Sequence, residues 1–309
     1  MDQIVLETEG LSKSYKQTQA LDNVSIKLKQ GKIYGFIGQN GAGKTTFMRI
    51  ITGLAFPTSG KISLWGASDE RGIQEQRKRI GCIIENPSLY PNMTAYQNLE
   101  IQRIQRGIPD KRIIERTLAR VGLTDTGKKK VKDFSLGMRQ RLGIAMALIN
   151  SPEFLILDEP INGLDPAGIV EVRNMLKELN KEFGMTIFIS SHILSELYQT
   201  ASDFIFIDKG KIIETLTERE LDEKCKRNIT LRAIDPNKAA LVLEEKLGTE
   251  NYKIMPDGSI RLYDCLDEME KVAVVLSEEH VVVTELKMSG DTLEEYFLEK
   301  IGGGNVKNS

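Results

Sequence analysis

Gly38-Gln39-Asn40-Gly41-Ala42-Gly43-Lys44-Thr45-Thr46 satisfies the pattern G-x-x-x-x-G-K-[ST] at every fixed position. The apolar run Ile33-Tyr34-Gly35-Phe36-Ile37 before it reads as a buried strand, and Phe47-Met48-Arg49-Ile50-Ile51 after it reads as a helix. That is the strand–loop–helix setting the pattern requires, and a glycine-rich turn matching by chance would lack it. The residue types carry the chemistry. Glycines let successive backbone N–H groups turn inward around a phosphate, and the helix N-terminus behind them adds a partial positive charge. Lys44 is placed to reach the β- and γ-phosphates of a nucleotide, and the Thr45 hydroxyl to ligate Mg2+. Every loop residue other than Gln39 and Ala42 is assigned to nucleotide contact.

Composition bounds the remainder. The chain has 309 residues, enough for one large domain with a smaller companion, and its 40% hydrophobic and 28% charged content is that of a globular protein. A net charge of −2 gives no basic excess that would argue for nucleic acid as a partner. Cys82, Cys225 and Cys265 are widely spaced, odd in number and without a metal or disulfide pattern, as expected of reduced thiols in a cytoplasmic protein. The first residues, Met1-Asp2-Gln3-Ile4-Val5-Leu6-Glu7, have neither a basic start nor a long apolar run, so no signal peptide is predicted. No stretch approaches the roughly 20 apolar residues of a spanning helix, so a membrane role is expected to run through another chain.

A second decisive stretch is Phe154-Leu155-Ile156-Leu157-Asp158-Glu159-Pro160. Four apolar residues in a row read as a strand buried on both faces, and two carboxylates follow at its C-terminal end, where open α/β sheets hold their ligands. Neighbouring strand residues point to opposite faces, so the two acids have different tasks. Asp158 suits an outer-shell role on Mg2+, and Glu159 suits polarising an attacking water. Thr186-Ile187-Phe188-Ile189-Ser190 is a further buried strand that delivers Ser191-His192 to the same rim, within hydrogen-bonding reach of a γ-phosphate. The other histidine, His280, follows Glu278-Glu279 at a helix end and is read as structural.

Around these stretches the organisation is coarser. Residues 3–8 and 24–29 alternate as exposed strands, with Tyr15 between them. On spacing alone, Tyr15 packing a strand end is favoured over Tyr15 stacking on a purine. Lys61 to Gly66 and Ile80 to Glu85 read as strands. Thr94 to Leu148 turns helical, and an inserted helical subdomain is predicted over about 86–153. Ser135 stands as an N-cap before the apolar positions Leu142, Ala145, Met146 and Ile149. That says only that a helix is capped there, although such an N-terminus is also a reasonable second phosphate contact. Asn162 to Pro166 forms a tight loop into a helix over about 167–179, and Phe204 to Ile212 forms a hairpin. Beyond about residue 216 the texture becomes a small α+β unit in β-α-β-α-β order, then a helix over 293–300 and a glycine-rich tail. That unit holds no catalytic constellation and reads as a packing module.

Taken together, in their order and spacing, these motifs resemble the ATP-binding subunits of ABC transporters over about residues 3–215. The resemblance rests on the P-loop, on Ser135-Leu136-Gly137-Met138 as the signature sequence, on Leu155 to Pro160 as Walker B, on Gly163-Leu164-Asp165 as the D-loop, and on His192 as the switch histidine. It implies an α/β P-loop NTPase with a RecA-like core, antiparallel β and helical subdomains within 1–215, and an accessory α+β domain over 216–309. It implies an ATPase using ATP and Mg2+, with Glu159, His192 and Lys44 catalytic and Tyr15 stacked on adenine. Ser135 and Gly137 would then clamp the γ-phosphate of ATP held by a second subunit, with Asp165 near the same nucleotide. Partners implied are a second copy of the chain and a separate membrane permease, placing the protein at the cytoplasmic face of the membrane. Two departures stand out. Leu136 and Met138 replace the more frequent Gly and Gln, and Glu85 occupies the Q-loop position, where it joins Thr45 and Asp158 as a metal-side residue. Glutamate there is similar to the bacitracin-resistance and lantibiotic-immunity exporter branch. The competing reading is a soluble ATPase acting on DNA or ribosomes. Against it, about 90 residues between P-loop and signature cannot hold long coiled-coil arms, and the chain carries a single P-loop and a single signature. A small-molecule kinase would share the P-loop but not the signature or the acid pair followed by His192.

Overall fold

The computed structural model describes residues 3–225, 228–289 and 296–297. The chain divides into two compact units, Met1–Glu218 and Arg219–Ser309.

In the first unit, strand β1 (Ile4–Tyr15) turns back into β2 (Thr18–Val24), and β3 (Lys27–Lys29) returns along its other edge. The sequence reading places strands at 3–8 and 24–29. β1 instead runs on through Leu11 to Tyr15, and β2 is a strand that the reading lacks. The reason lies in the bulges between Leu11 and Ser14 and in Asn23, whose φ of 55° breaks the alternation that would reveal a regular strand. Next come β4 (Ile33–Ile37), α1 (Lys44–Thr52), β5 (Ser59–Leu64), α2 (Glu70–Arg77) and β6 (Ile80–Ile83). β5 pairs with β1 and completes an antiparallel sheet. α2 also escapes the sequence reading, because it buries no residue and so carries no apolar period.

Helices α3 (Ala95–Gln105), α4 (Arg112–Arg120) and α5 (Leu136–Leu148) follow and pack on one another. α3 starts at a capping box in which Thr94 and Gln97 each bond the other's backbone. The buried Asn98 side chain accepts the Tyr90 N–H and donates to the Tyr90 and Thr94 carbonyls, so the irregular entry to this region is tied down without regular structure.

The chain then re-enters the core through β7 (Phe154–Asp158), α6 (Pro166–Phe183), β8 (Thr186–Ser191), α7 (Leu194–Tyr198), β9 (Asp203–Asp208) and β10 (Lys211–Thr217). The second sheet has strand order β10-β9-β4-β8-β7-β6, parallel except for β10. Every residue of β4, β7 and β8 is buried, as strands covered on both faces require. Phe36, Phe47 and Phe188 form the centre of this core, with ring centroids 5.3, 5.0 and 5.9 Å apart. Because β4, β8 and β7 are adjacent and parallel, their C-terminal ends meet at one rim. The P-loop, the Asp158-Glu159 pair and His192 are therefore neighbours.

Helix α8 (Glu218–Cys225) leads into the second unit, built of β11 (Asn228–Ala233), α9 (Pro236–Leu247), β12 (Tyr252–Ile254), β13 (Ile260–Leu262), α10 (Met269–Glu278) and β14 (Val283–Ser289). Its antiparallel sheet has the order β12-β13-β11-β14, so the arrangement is β-α-β-β-α-β and ferredoxin-like. The five-element order read from the sequence omits β12, a three-residue strand too short to show alternation. The predicted helix over 293–300 lies outside the described residues except for Tyr296 and Phe297, which are helical, and the glycine tail lies wholly outside them. His280 ends α10 in a left-handed conformation (φ 54°), and its carbonyl accepts from Lys238 Nζ.

Candidate functional site

The P-loop is a backbone device, and two of its glycines show why. Gly43 has φ 108°, and a Cβ there would lie 2.5 Å from the Ala20 carbonyl oxygen. Gly38 would place a Cβ 2.5 Å from the Ile207 carbonyl oxygen. Neither backbone atom can yield, so the loop closes tightly only with glycine at both positions. α1 begins directly after Gly43, with its first N–H groups free of side-chain caps. Asn40, Gly41 and the residues from Gly43 to Thr46 line a cleft of about 280 Å3 together with Thr18 to Ala20, Gln39, Glu159 and Asn162.

Lys44 is buried, and its cation is satisfied by the Gly38 and Gln39 carbonyls at 2.6 and 3.3 Å and by Glu159 Oε1 at 3.2 Å. The other oxygen of Glu159, Oε2, lies 2.7 Å from His192 Nδ1. A carboxylate only accepts, so Nδ1 carries the proton in this contact. Glu159 adopts φ 51°, a left-handed turn immediately after β7 that carries its side chain back to the rim.

Asp158 is buried, and both of its oxygens are engaged. Thr45 Oγ1 donates to Oδ2 at 2.8 Å, and Ser190 Oγ donates to Oδ1 at 2.6 Å. Thr45 and Asp158 thus present adjacent hard oxygens, the donor type that Mg2+ takes when nucleotide phosphates and water complete its shell. Among the described residues no group of three or more His, Cys, Asp and Glu forms an all-protein cage.

The remaining site residues named from the sequence lie apart from this centre. Tyr15 ends β1 and pairs across the hairpin with Thr18, which lines the cleft; the residue is 44% exposed, with Lys13 Nζ 4.7 Å from its ring centroid. Ser135 caps α5 by accepting the Met138 N–H at 3.2 Å, and neither it nor Gly137 lines the cleft. Asp165 caps α6 through the Gly168 N–H at 3.3 Å. The two helix starts are neighbours, since a Cβ on Gly137 would meet Gly168 Cα at 4.0 Å. Glu85 has φ 64° and pairs with Arg49 Nη2 at 2.6 Å; it shares no hydrogen bond with Thr45 or Asp158. The sequence reading places Arg49, Asn162 and Ser190 in a helix, a loop and a strand but does not name them as site residues. Ser190 alone left a signal there, a hydroxyl that follows the apolar run Ile187 to Ile189 in a buried strand and has to find a partner.

Fold and site define a P-loop ATPase cassette. A family model described as ABC transporter matches residues 21–162. The bacitracin transport ATP-binding protein BcrA of Bacillus licheniformis is 43% identical over 302 residues, covering 98% of this chain and 99% of that one. The lantibiotic transport ATP-binding protein SrtF of Streptococcus pyogenes is 48% identical over 218 residues, covering 71% of this chain and 92% of its own. Among solved structures, the dimeric post-hydrolysis state of the cassette MJ0796 bound to ADP and Pi matches with TM-score 0.63 and 26% identity, covering 69% of this chain and 99% of that one. The chain belongs to the ATP-binding proteins of ABC transporters and is an ABC ATPase. No helix among the described residues is long and apolar enough to cross a membrane.

Proposed function

We propose that this chain dimerises around two molecules of ATP with Mg2+ and powers a separate permease that exports a peptide antibiotic, conferring resistance or immunity. The observation that carries the reading is the division of the nucleotide-contacting residues between two surfaces. Lys44, Thr45, Asp158, Glu159 and His192 converge on one cleft, whereas Ser135 and Gly137 sit on a capped helix outside it. A complete site then needs the signature helix of a second copy, and the exposed Leu136 (44%) is available to such a partner.

Within one site, Tyr15 stacks on adenine and the P-loop N–H groups hold the phosphates. Thr45 and Asp158 would hold Mg2+, which would offset the negative charge of the nucleotide phosphates. Glu159 accepts a proton from water as the water oxygen bonds the γ-phosphorus and the bond to the ADP oxygen breaks; His192 orients the carboxylate. Attachment to the permease would hold the protein at the cytoplasmic face of the membrane. The peptide-antibiotic substrate rests on the likeness to BcrA, a bacitracin transport protein, and SrtF, a lantibiotic transport protein.

The test is Glu159→Gln. It abolishes turnover and yields an ATP-dependent dimer by size exclusion with light scattering. A protein that stays monomeric in ATP with turnover blocked, or a variant that hydrolyses at the wild-type rate, overturns the reading. Expressing the chain with its co-purifying permease tests the export half through tolerance to peptide antibiotics.

A further inference from the structure

The end of β8 makes separate contacts with the P-loop and with the acid pair. Ser191 accepts the Gly38 N–H through its carbonyl at 3.4 Å, and His192 meets the Glu159 carboxylate. Ser190 does something different from both. It lies directly across from Asp158 in the parallel pairing of β7 and β8, and it is fully buried. Its single hydroxyl donates to Asp158 Oδ1 at 2.6 Å and accepts the Glu159 backbone N–H at 2.9 Å.

We propose that Ser190 is a positioning residue for hydrolysis, setting both the metal-side oxygen of Asp158 and the backbone turn that aims Glu159. The inference rests on the ATPase reading above. By occupying Oδ1, Ser190 leaves Oδ2, the oxygen that accepts from Thr45, as the one that would turn to a metal. A carboxylate anchored at one oxygen cannot rotate to a second binding mode, so the metal-side donor is pre-organised. By accepting the Glu159 N–H, the same hydroxyl satisfies a part-buried donor at a residue with φ 51°, a conformation rare outside glycine. One atom therefore couples the two acids. Alanine at this position would leave one oxygen of a buried carboxylate and one N–H without their partner, while removing too little volume to disturb the apolar packing below.

The experiment compares Ser190→Ala and Ser190→Thr, with Glu159→Gln measured alongside. Mn2+ affinity is read by electron paramagnetic resonance in the presence of ATP, together with kcat, KM and the melting temperature. Ser190→Ala is expected to bind Mn2+ about tenfold more weakly and to turn over about tenfold more slowly, with KM for ATP within about twofold. Ser190→Thr keeps the hydroxyl and restores both Mn2+ affinity and kcat to within about threefold of wild type. A folded Ser190→Ala protein with wild-type Mn2+ affinity and kcat overturns the proposal. So does a loss that is equal in the two variants and parallels a fall in melting temperature. If the threonine protein does not fold, the alanine protein decides alone. A Glu159→Gln protein that still hydrolyses ATP defeats the parent reading instead. A dead Glu159→Gln beside an unaffected Ser190→Ala defeats only the role of Ser190.

Discussion

Glu159 and His192, brought from the ends of two neighbouring parallel strands, meet through Oε2 and Nδ1 at 2.7 Å. The contact fixes the direction in which the carboxylate points, because its other oxygen is held by Lys44 at 3.2 Å. Removing the imidazole leaves Glu159 held on one side only. His192→Ala is expected to lower kcat by about 100-fold or more with KM for ATP nearly unchanged, the pattern of a group that orients the reacting atoms rather than binding substrate. Steady-state kinetics decide it, and a KM that rises as much as kcat falls would contradict the assignment.

Gly43→Ala imposes φ 108° on a residue with a side chain and drives its Cβ to 2.5 Å from the Ala20 carbonyl oxygen. The backbone strain alone costs about 1–3 kcal/mol, so the unfolding free energy falls by at least that range. Relief of the clash also moves the loop away from phosphate, and nucleotide binding drops by about tenfold or more. Denaturant unfolding and a fluorescent-nucleotide titration measure the two effects.

The ion pair of Glu85 with Arg49 is exposed on both sides, at 61% and 41% for the two side chains. Pairs of this kind contribute about 0–1 kcal/mol. Glu85→Gln should therefore leave the melting temperature and ATP affinity close to wild type, and should alter the stimulation of ATPase activity by the permease instead. Loss of ATP binding in the isolated subunit would show that Glu85 acts at the nucleotide.

Glu153 is hydrogen-bonded by Arg79, with Nη2 at 2.5 Å from Oε2, and that guanidinium holds its carboxyl below the usual glutamate range. A carboxyl with a lowered folded-state pKa stabilises the fold above its ordinary pKa, and the contribution disappears as pH falls through the lowered value. Because Glu153 is 46% exposed, solvent screening limits the effect to about 1 kcal/mol or less. Wild type is expected to exceed Glu153→Gln in stability at neutral pH, with the difference vanishing in acid. Urea unfolding over a pH series descending from about 7 reads it, and a gap that does not shrink as the glutamate is protonated would remove the ion pair as its cause.

What the sequence determined by itself is local and backbone-borne. The glycine spacing of the P-loop, the apolar runs of β4, β7 and β8 and the Ser135 cap state their conformations within a few neighbouring residues, because φ preferences, strand burial and capping act over that range. Elements without such a pattern stayed hidden: β2 with its bulges, α2 with no buried face and the three-residue β12. Tertiary structure alone decided which side chains meet. The placement of β8 between β4 and β7 sets Ser190 against Asp158 and His192 against Glu159, and the loop after β6 brings Glu85 to Arg49. Those partners lie tens of residues apart in the chain. Only the strand order, selected by packing the whole sheet rather than by any one segment, brings them within hydrogen-bonding distance.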